Sequence, residues 1–84
     1  MKMLVAEDDP KMLDVLRHGL QEAGWVVSGA PDGPEALFLA DSEKFDCYIL
    51  DVNLPGRSGF EVCRALRDKQ VWAPVLMLTA RDAV

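Results

Sequence analysis

The stretch LVAEDDP, residues 4–10, passes from an apolar run to an acidic cluster and then to proline. Its opening belongs to a short apolar run, residues 3–6, of the kind a strand covered on both faces presents. Asp9 and Pro10 then supply a helix N-cap followed by proline at the first helical position, where the missing N–H costs nothing. A buried strand that runs straight into a helix is the first half of a parallel strand-helix-strand unit. Between the two stand Glu7, Asp8 and Asp9, with no lysine or arginine close before them to neutralise the group.

The same alternation continues outward from this stretch. Leu13, Leu16, Leu20 and Ala23 recur at helical spacing, and Gly24 sits where a helix commonly stops in the left-handed conformation. A second strand is predicted over residues 25–28. Asp32-Gly33-Pro34 is turn chemistry leading into a second helix over residues 35–41, with Ala36, Leu37 and Ala40 on one face. Residues 47–50 form a third apolar run, followed by a turn at Leu54-Pro55-Gly56. Ser58 is an N-cap for a third helix whose inward stripe is Val62, Cys63 and Leu66. Residues 75–78 are the fourth run. Strict alternation of this kind calls for an α/β fold, a parallel sheet with right-handed crossovers and helices on both faces.

Composition narrows the function. The chain has 84 residues, half of them hydrophobic, enough for one domain with a marginal core. Its net charge of −5, with scattered basic residues, argues against a nucleic-acid surface. No apolar run approaches the length that spans a bilayer. Cys47 and Cys63 lie in apolar stretches without metal-ligand spacing and without a secretory leader before them, so they read as reduced core residues of a cytosolic protein. His18 falls off the apolar stripe of the first helix and reads as a surface residue. Trp25 and Trp72 read as core or rim packing, and Arg57, Arg64 and Arg67 as a solvated helix face.

Three of the apolar runs end alike: MLVA gives way to Glu7 and Asp8, CYIL to Asp51, and VLML to Thr79. In an open parallel sheet the carboxyl ends of the strands are where ligands bind. If the first strand lies beside the third, Glu7, Asp8 and Asp51 converge on one pocket. Carboxylates brought that close repel unless one is protonated or a cation sits between them. A magnesium ion, which takes oxygen ligands and is commonly held by one or two carboxylates plus phosphate, meets the need. Asp9, committed to the helix N-cap, is left out of that set.

The segments LVAEDD, DVNLPGRSG (residues 51–59) and LTARD (residues 78–82) resemble the receiver domain of bacterial two-component response regulators, in the right order and over nearly the whole chain. The stretch DVNLPGRSGFEVCRALR resembles most the subfamily with a winged-helix DNA-binding output domain. The resemblance implies a flavodoxin-like doubly wound sheet of strand order 2-1-3-4-5. It implies that Asp51 is the phosphoacceptor for a phosphoryl group from a sensor histidine kinase. It further implies that Asp8 binds Mg2+ directly, that Glu7 reaches it through water and that Asn53 contributes its backbone carbonyl. Thr79 would hydrogen-bond a phosphoryl oxygen, with Ala80 leaving room beside it; outside the motif, Thr79 reads rather as a cap of the next helix. Such a domain assists its own phosphorylation and dephosphorylation but is not a turnover enzyme. Two rivals are disfavoured. An aspartate-nucleophile phosphatase usually has a second aspartate where Asn53 stands, and a flavin mononucleotide site would not want an acidic loop after the first strand.

Receivers commonly dock their kinase on the first helix, whose exposed positions are expected to include Lys11, Asp14, Arg17 and Glu22. The family pattern continues through a further helix, a fifth strand with a phosphate-pairing lysine after it, and a last helix, none of which has a counterpart in these 84 residues. Residues 1–84 are therefore expected to be the N-terminal portion of a cytoplasmic receiver that controls an output, transcription, through a domain not included here. The alternative expectation is a phosphorylation-incompetent module that self-associates through the uncovered edge of the fourth strand.

Overall fold

The structure, a computed structural model, describes residues 1–78. Four strands alternate with three helices: β1 (Lys2–Ala6), α1 (Pro10–Glu22), β2 (Val26–Ala30), α2 (Gly33–Ser42), β3 (Cys47–Asp51), α3 (Gly59–Asp68) and β4 (Val75–Leu78). All pairings are parallel, in the order β2-β1-β3-β4. The described strands thus take the first four places of the expected order. Thr79 and Ala80 lie outside the described residues.

Alternate residues of a strand point to opposite faces, so the two cores sort by parity. Leu4, Ala6, Tyr48 and Leu50 join Ala36, Val62 and Leu66 under α2 and α3. Met3, Val5, Val27 and Ile49 face the other way, against Leu13, Leu16 and Leu20 of α1. Leu4, Leu50, Tyr48 and Val62 are fully buried, each contributing about 1.5–3 kcal/mol of apolar transfer. Helices on both faces leave the strand ends, and the loops that follow them, as the exposed functional edge.

Helix ends follow local chemistry. Asp9 caps α1, its Oδ1 accepting from the Lys11 N–H at 3.0 Å. Beyond α1, Gly24 has φ +101°, and Trp25 donates to the Leu20 carbonyl at 3.0 Å while Gly24 donates to Gln21 at 3.0 Å, a Schellman closure. Ser58 and Glu61 form a reciprocal capping box on α3. Past α3 the same closure is made by Gln70 at φ +62°, with Val71 donating to Leu66 at 2.9 Å.

Several expectations are corrected. The second strand starts and ends later than residues 25–28, because Val26 pairs with Lys2 and the ladder runs on to Ala30. Asp32-Gly33-Pro34 is no separate turn: Asp32 caps α2, accepting from Glu35 N–H at 2.8 Å, and Gly33 and Pro34 are the helix's first turn. Cys47 and Cys63 are free but half-buried instead of fully enclosed. Arg17 is half-buried beside the α1 stripe, whereas Lys11, Asp14, His18 and Glu22 are exposed. Trp72, at 70 % exposure, is no core residue; the Arg67 guanidinium lies 5.9 Å from its ring centroid and donates to the Val71 and Ala73 carbonyls at 2.7 and 2.9 Å. No described helix is long and apolar enough to cross a membrane.

Candidate functional site

Because β1 pairs with β3, with Ala6 opposite Leu50, the residues that follow or close these strands emerge side by side. Glu7 and Asp8 leave β1, and Asp51 closes β3. Each offers a carboxylate oxygen, and the three atoms lie within 4.8 Å of one another. They line a cavity of about 230 Å³ together with Asp9, Met12 and Asn53. The structure therefore brings together Glu7, Asp8, Asp51 and Asn53. Thr79, the remaining expected member, lies outside the described residues.

Glu7 and Asp51 are buried, at 7 % and 4 % exposure, while Asp8 is exposed. No ion pair among the described residues reaches any of the three; the ion pairs found join Lys2 to Glu43 and Lys69 to Asp41. Backbone amides also reach two of the three carboxylates. Asp9 N–H donates to Glu7 Oε2 at 3.1 Å, and Asn53 N–H donates to Asp51 Oδ1 at 3.1 Å. Burial pushes the Glu7 carboxyl from its ordinary 4.5 up to about 7; the Asp9 N–H works against this, and the neighbouring Asp51 and Asp8 carboxyls add to it. Three hard oxygen donors, two of them buried and without a cation partner among the described residues, fit a magnesium ion with room for water.

Asp9 is a cavity wall but its side chain is spent on capping α1, as its position before Pro10 indicated. Met12 went unassigned in the sequence. It sits in the first turn of α1, and helix side chains tilt toward the N-terminus, which brings it onto the cavity rim. Helical position relative to Pro10 was the only available signal.

The response regulator receiver domain family model matches residues 3–84. The chain belongs to this family. Receivers are signalling modules, and the chain is similar to one in the transcriptional regulatory protein TcrA of Mycobacterium tuberculosis, with 51 % identity over 83 residues, 99 % of this chain and 33 % of TcrA. The chain spans about a third of the length of the curated relatives it matches. Among solved receivers, response regulator TrrA of Thermotoga maritima in complex with Mg2+-BeF superposes with TM-score 0.90 at 38 % identity, covering 96 % of this chain and 70 % of that one. TrrA in complex with histidine kinase ThkA gives TM-score 0.88 at 38 % identity, with the same coverages of 96 % and 70 %.

Proposed function

We propose that residues 1–84 are a phosphoacceptor segment that takes a phosphoryl group from a phosphohistidine of a sensor histidine kinase onto Asp51. The observation that carries this is the convergence of Glu7, Asp8 and Asp51 within 4.8 Å at one sheet edge. A carboxylate oxygen of Asp51 attacks phosphorus, the P–N bond breaks, and the imidazole nitrogen departs with the bonding pair, taking a proton from solvent. The Asn53 N–H at 3.1 Å orients that carboxylate, leaving its other oxygen to react. Asp8, Asp51 and the Asn53 backbone carbonyl would hold Mg2+, with Glu7 reaching it through water. When bound, the ion supplies the positive charge that lets a phosphoryl group approach three carboxylates. Thr79 is assigned to a phosphoryl oxygen by resemblance. TrrA, solved with Mg2+-BeF and with its kinase, supports both the ion and the partner class.

Control of transcription through another part of the protein is supported by the names of its relatives, and a net charge of −5 argues against DNA binding by this segment itself. The exposed α1 residues Lys11, Asp14 and Glu22 are assigned to the kinase contact. Self-association is the second reading: among the described residues β4 pairs only with β3, and its Leu76 is 56 % exposed. The acid cluster, which a self-associating module does not need, favours the first. Mass measurement after incubation with a small phosphodonor tests it. One phosphoryl group is expected, lost in Asp51→Asn and in chelator; labelling that persists in either overturns the assignment. Light scattering over a dilution series tests the second reading, which a concentration-independent monomer overturns.

A further inference from the structure

The β2–α2 connection contributes no side chain to the acidic cavity, yet it is hydrogen-bonded to both halves of it. At the end of β2, the Ala30 carbonyl accepts from the Glu7 N–H at 2.9 Å. Three residues on, the Gly33 N–H donates to the Pro55 carbonyl at 3.1 Å, in the loop that carries Asn53. Among the described residues, this is the one backbone hydrogen bond that residues 53–57 make outside their own loop. The contact is too close for any side chain at residue 33. A Cβ there would meet the Arg57 carbonyl oxygen at 2.5 Å and Arg57 Cβ at 2.7 Å. Pro34 packs on the same loop, where a Cβ at Gly56 would meet its Cδ at 2.8 Å.

We propose that Gly33 is a positioning residue for the metal site: as the tight link of a bracket from Ala30 to Pro34, it sets the gap between the Glu7–Asp8 half and the Asp51–Asn53 half. The inference rests on the magnesium reading above. Glu7 is referenced to β2 through Ala30, and the Asn53 loop is referenced to α2 through Gly33, so the two sets of oxygen donors share one rigid frame. Relieving a 2.5 Å contact to ordinary van der Waals distance moves the Arg57 segment by about 1 Å. Magnesium demands near-ideal octahedral geometry at about 2.0–2.1 Å, so a displacement of that size in one half of the donor set is felt directly as lost affinity.

The test is Mg2+ titration of the protein and of Gly33→Ala, with Gly24→Ala as a control that loses stability at the far end of α1. Gly33→Ala is expected to bind Mg2+ about tenfold or more weaker, as for other residues that orient metal ligands, and to shift the metal-free Asn53 amide resonance. Gly24→Ala is expected to bind as the parent does. Equal affinity in Gly33→Ala and the parent overturns the proposal, as does equal weakening in Gly24→Ala. If Gly33→Ala does not fold, hydrogen exchange of the parent decides, because coupling is reciprocal. Saturating Mg2+ is expected to slow the Gly33 amide several-fold, and an unchanged rate overturns the bracket. A parent that binds no Mg2+ at millimolar concentration overturns the magnesium reading and the bracket with it, whereas a parent that binds beside an indifferent Gly33→Ala overturns the bracket alone.

Discussion

Gly59 lies directly against the backbone of Asp51: a Cβ at residue 59 would sit 2.3 Å from the Asp51 carbonyl oxygen and 2.9 Å from its carbonyl carbon. The first residue of α3 is thereby pressed onto the last residue of β3, and the Gly59 N–H donates to Val52 at 3.0 Å. Gly59→Ala is expected to cost about 1–3 kcal/mol, the usual range for forced overpacking, and to weaken phosphodonor labelling of Asp51. Urea denaturation and mass measurement check the two effects; an alanine variant of unchanged stability contradicts the contact.

Glu7 gives the metal-free protein a pH dependence of definite sign. Its carboxyl titrates at about 7 when folded against 4.5 ordinarily, so the folded state holds the proton more tightly than the unfolded state does. The associated stability is complete below about pH 4.5 and is lost as pH rises through about 7. Each pH unit of displacement is worth about 1.4 kcal/mol. In chelator, denaturation midpoints are expected to fall across that window in the parent and to stay flatter in Glu7→Gln. Added Mg2+, which favours the ionised carboxyl, is expected to flatten the parent as well. Parallel profiles for the two proteins in chelator contradict the assignment.

Asp8 and Asp9 are adjacent but are expected to separate cleanly by assay. Asp9→Ala removes the oxygen that accepts from Lys11 and is expected to cost about 1 kcal/mol of stability with little change in Mg2+ affinity. Asp8→Ala is expected to do the reverse, weakening Mg2+ binding while relieving repulsion in the metal-free protein. Isothermal titration paired with urea melts reads both, and equal Mg2+ affinities in the two variants exclude Asp8 as a ligand.

Gln70 closes α3 at φ +62°, a conformation that costs residues with a side chain about 1–2 kcal/mol and glycine little. Gln70→Gly is expected to raise stability by up to about 1 kcal/mol, the glycine's greater freedom in the unfolded chain offsetting part of the gain. At Gly24, with φ +101°, the reverse holds: alanine is expected to destabilise by about 1 kcal/mol. Urea midpoints at constant slope check both, and a destabilised Gln70→Gly overturns the strain argument.

What the sequence revealed depended on where the deciding interaction lies. Asp9-Pro10 and Ser58 announce helix starts because a cap is made with residues a few positions away. The acid cluster was legible because the alternation implies a parallel sheet, and one assumption, that the first strand neighbours the third, suffices to bring Glu7 and Asp51 together. The start of α2 was misplaced because glycine and proline at 33 and 34 suit a free turn equally well. What puts them in the helix is the Asp32 cap and the packing on Arg57, a contact far along the chain. The half-burial of Arg17 and Cys63 depends on which helix flank meets the sheet, which a stripe of apolar residues locates only coarsely, whereas Cys47 is half-buried as the opening residue of β3. Nothing local to Gln70 signals a left-handed residue.

The pairing of Ala6 with Leu50 also gives the site a thermodynamic character. Glu7 and Asp51 belong to distant parts of the chain and meet only once β1 and β3 have docked, so the unfolded ensemble has no comparable donor set. Any cation the cluster binds is then a ligand of the native state alone and stabilises it by mass action, by about 2.7 kcal/mol at a hundred times its dissociation constant. The melting temperature then rises with the ambient concentration of divalent ions, and goes on rising after the site is filled, because the stabilisation grows with the logarithm of free ion.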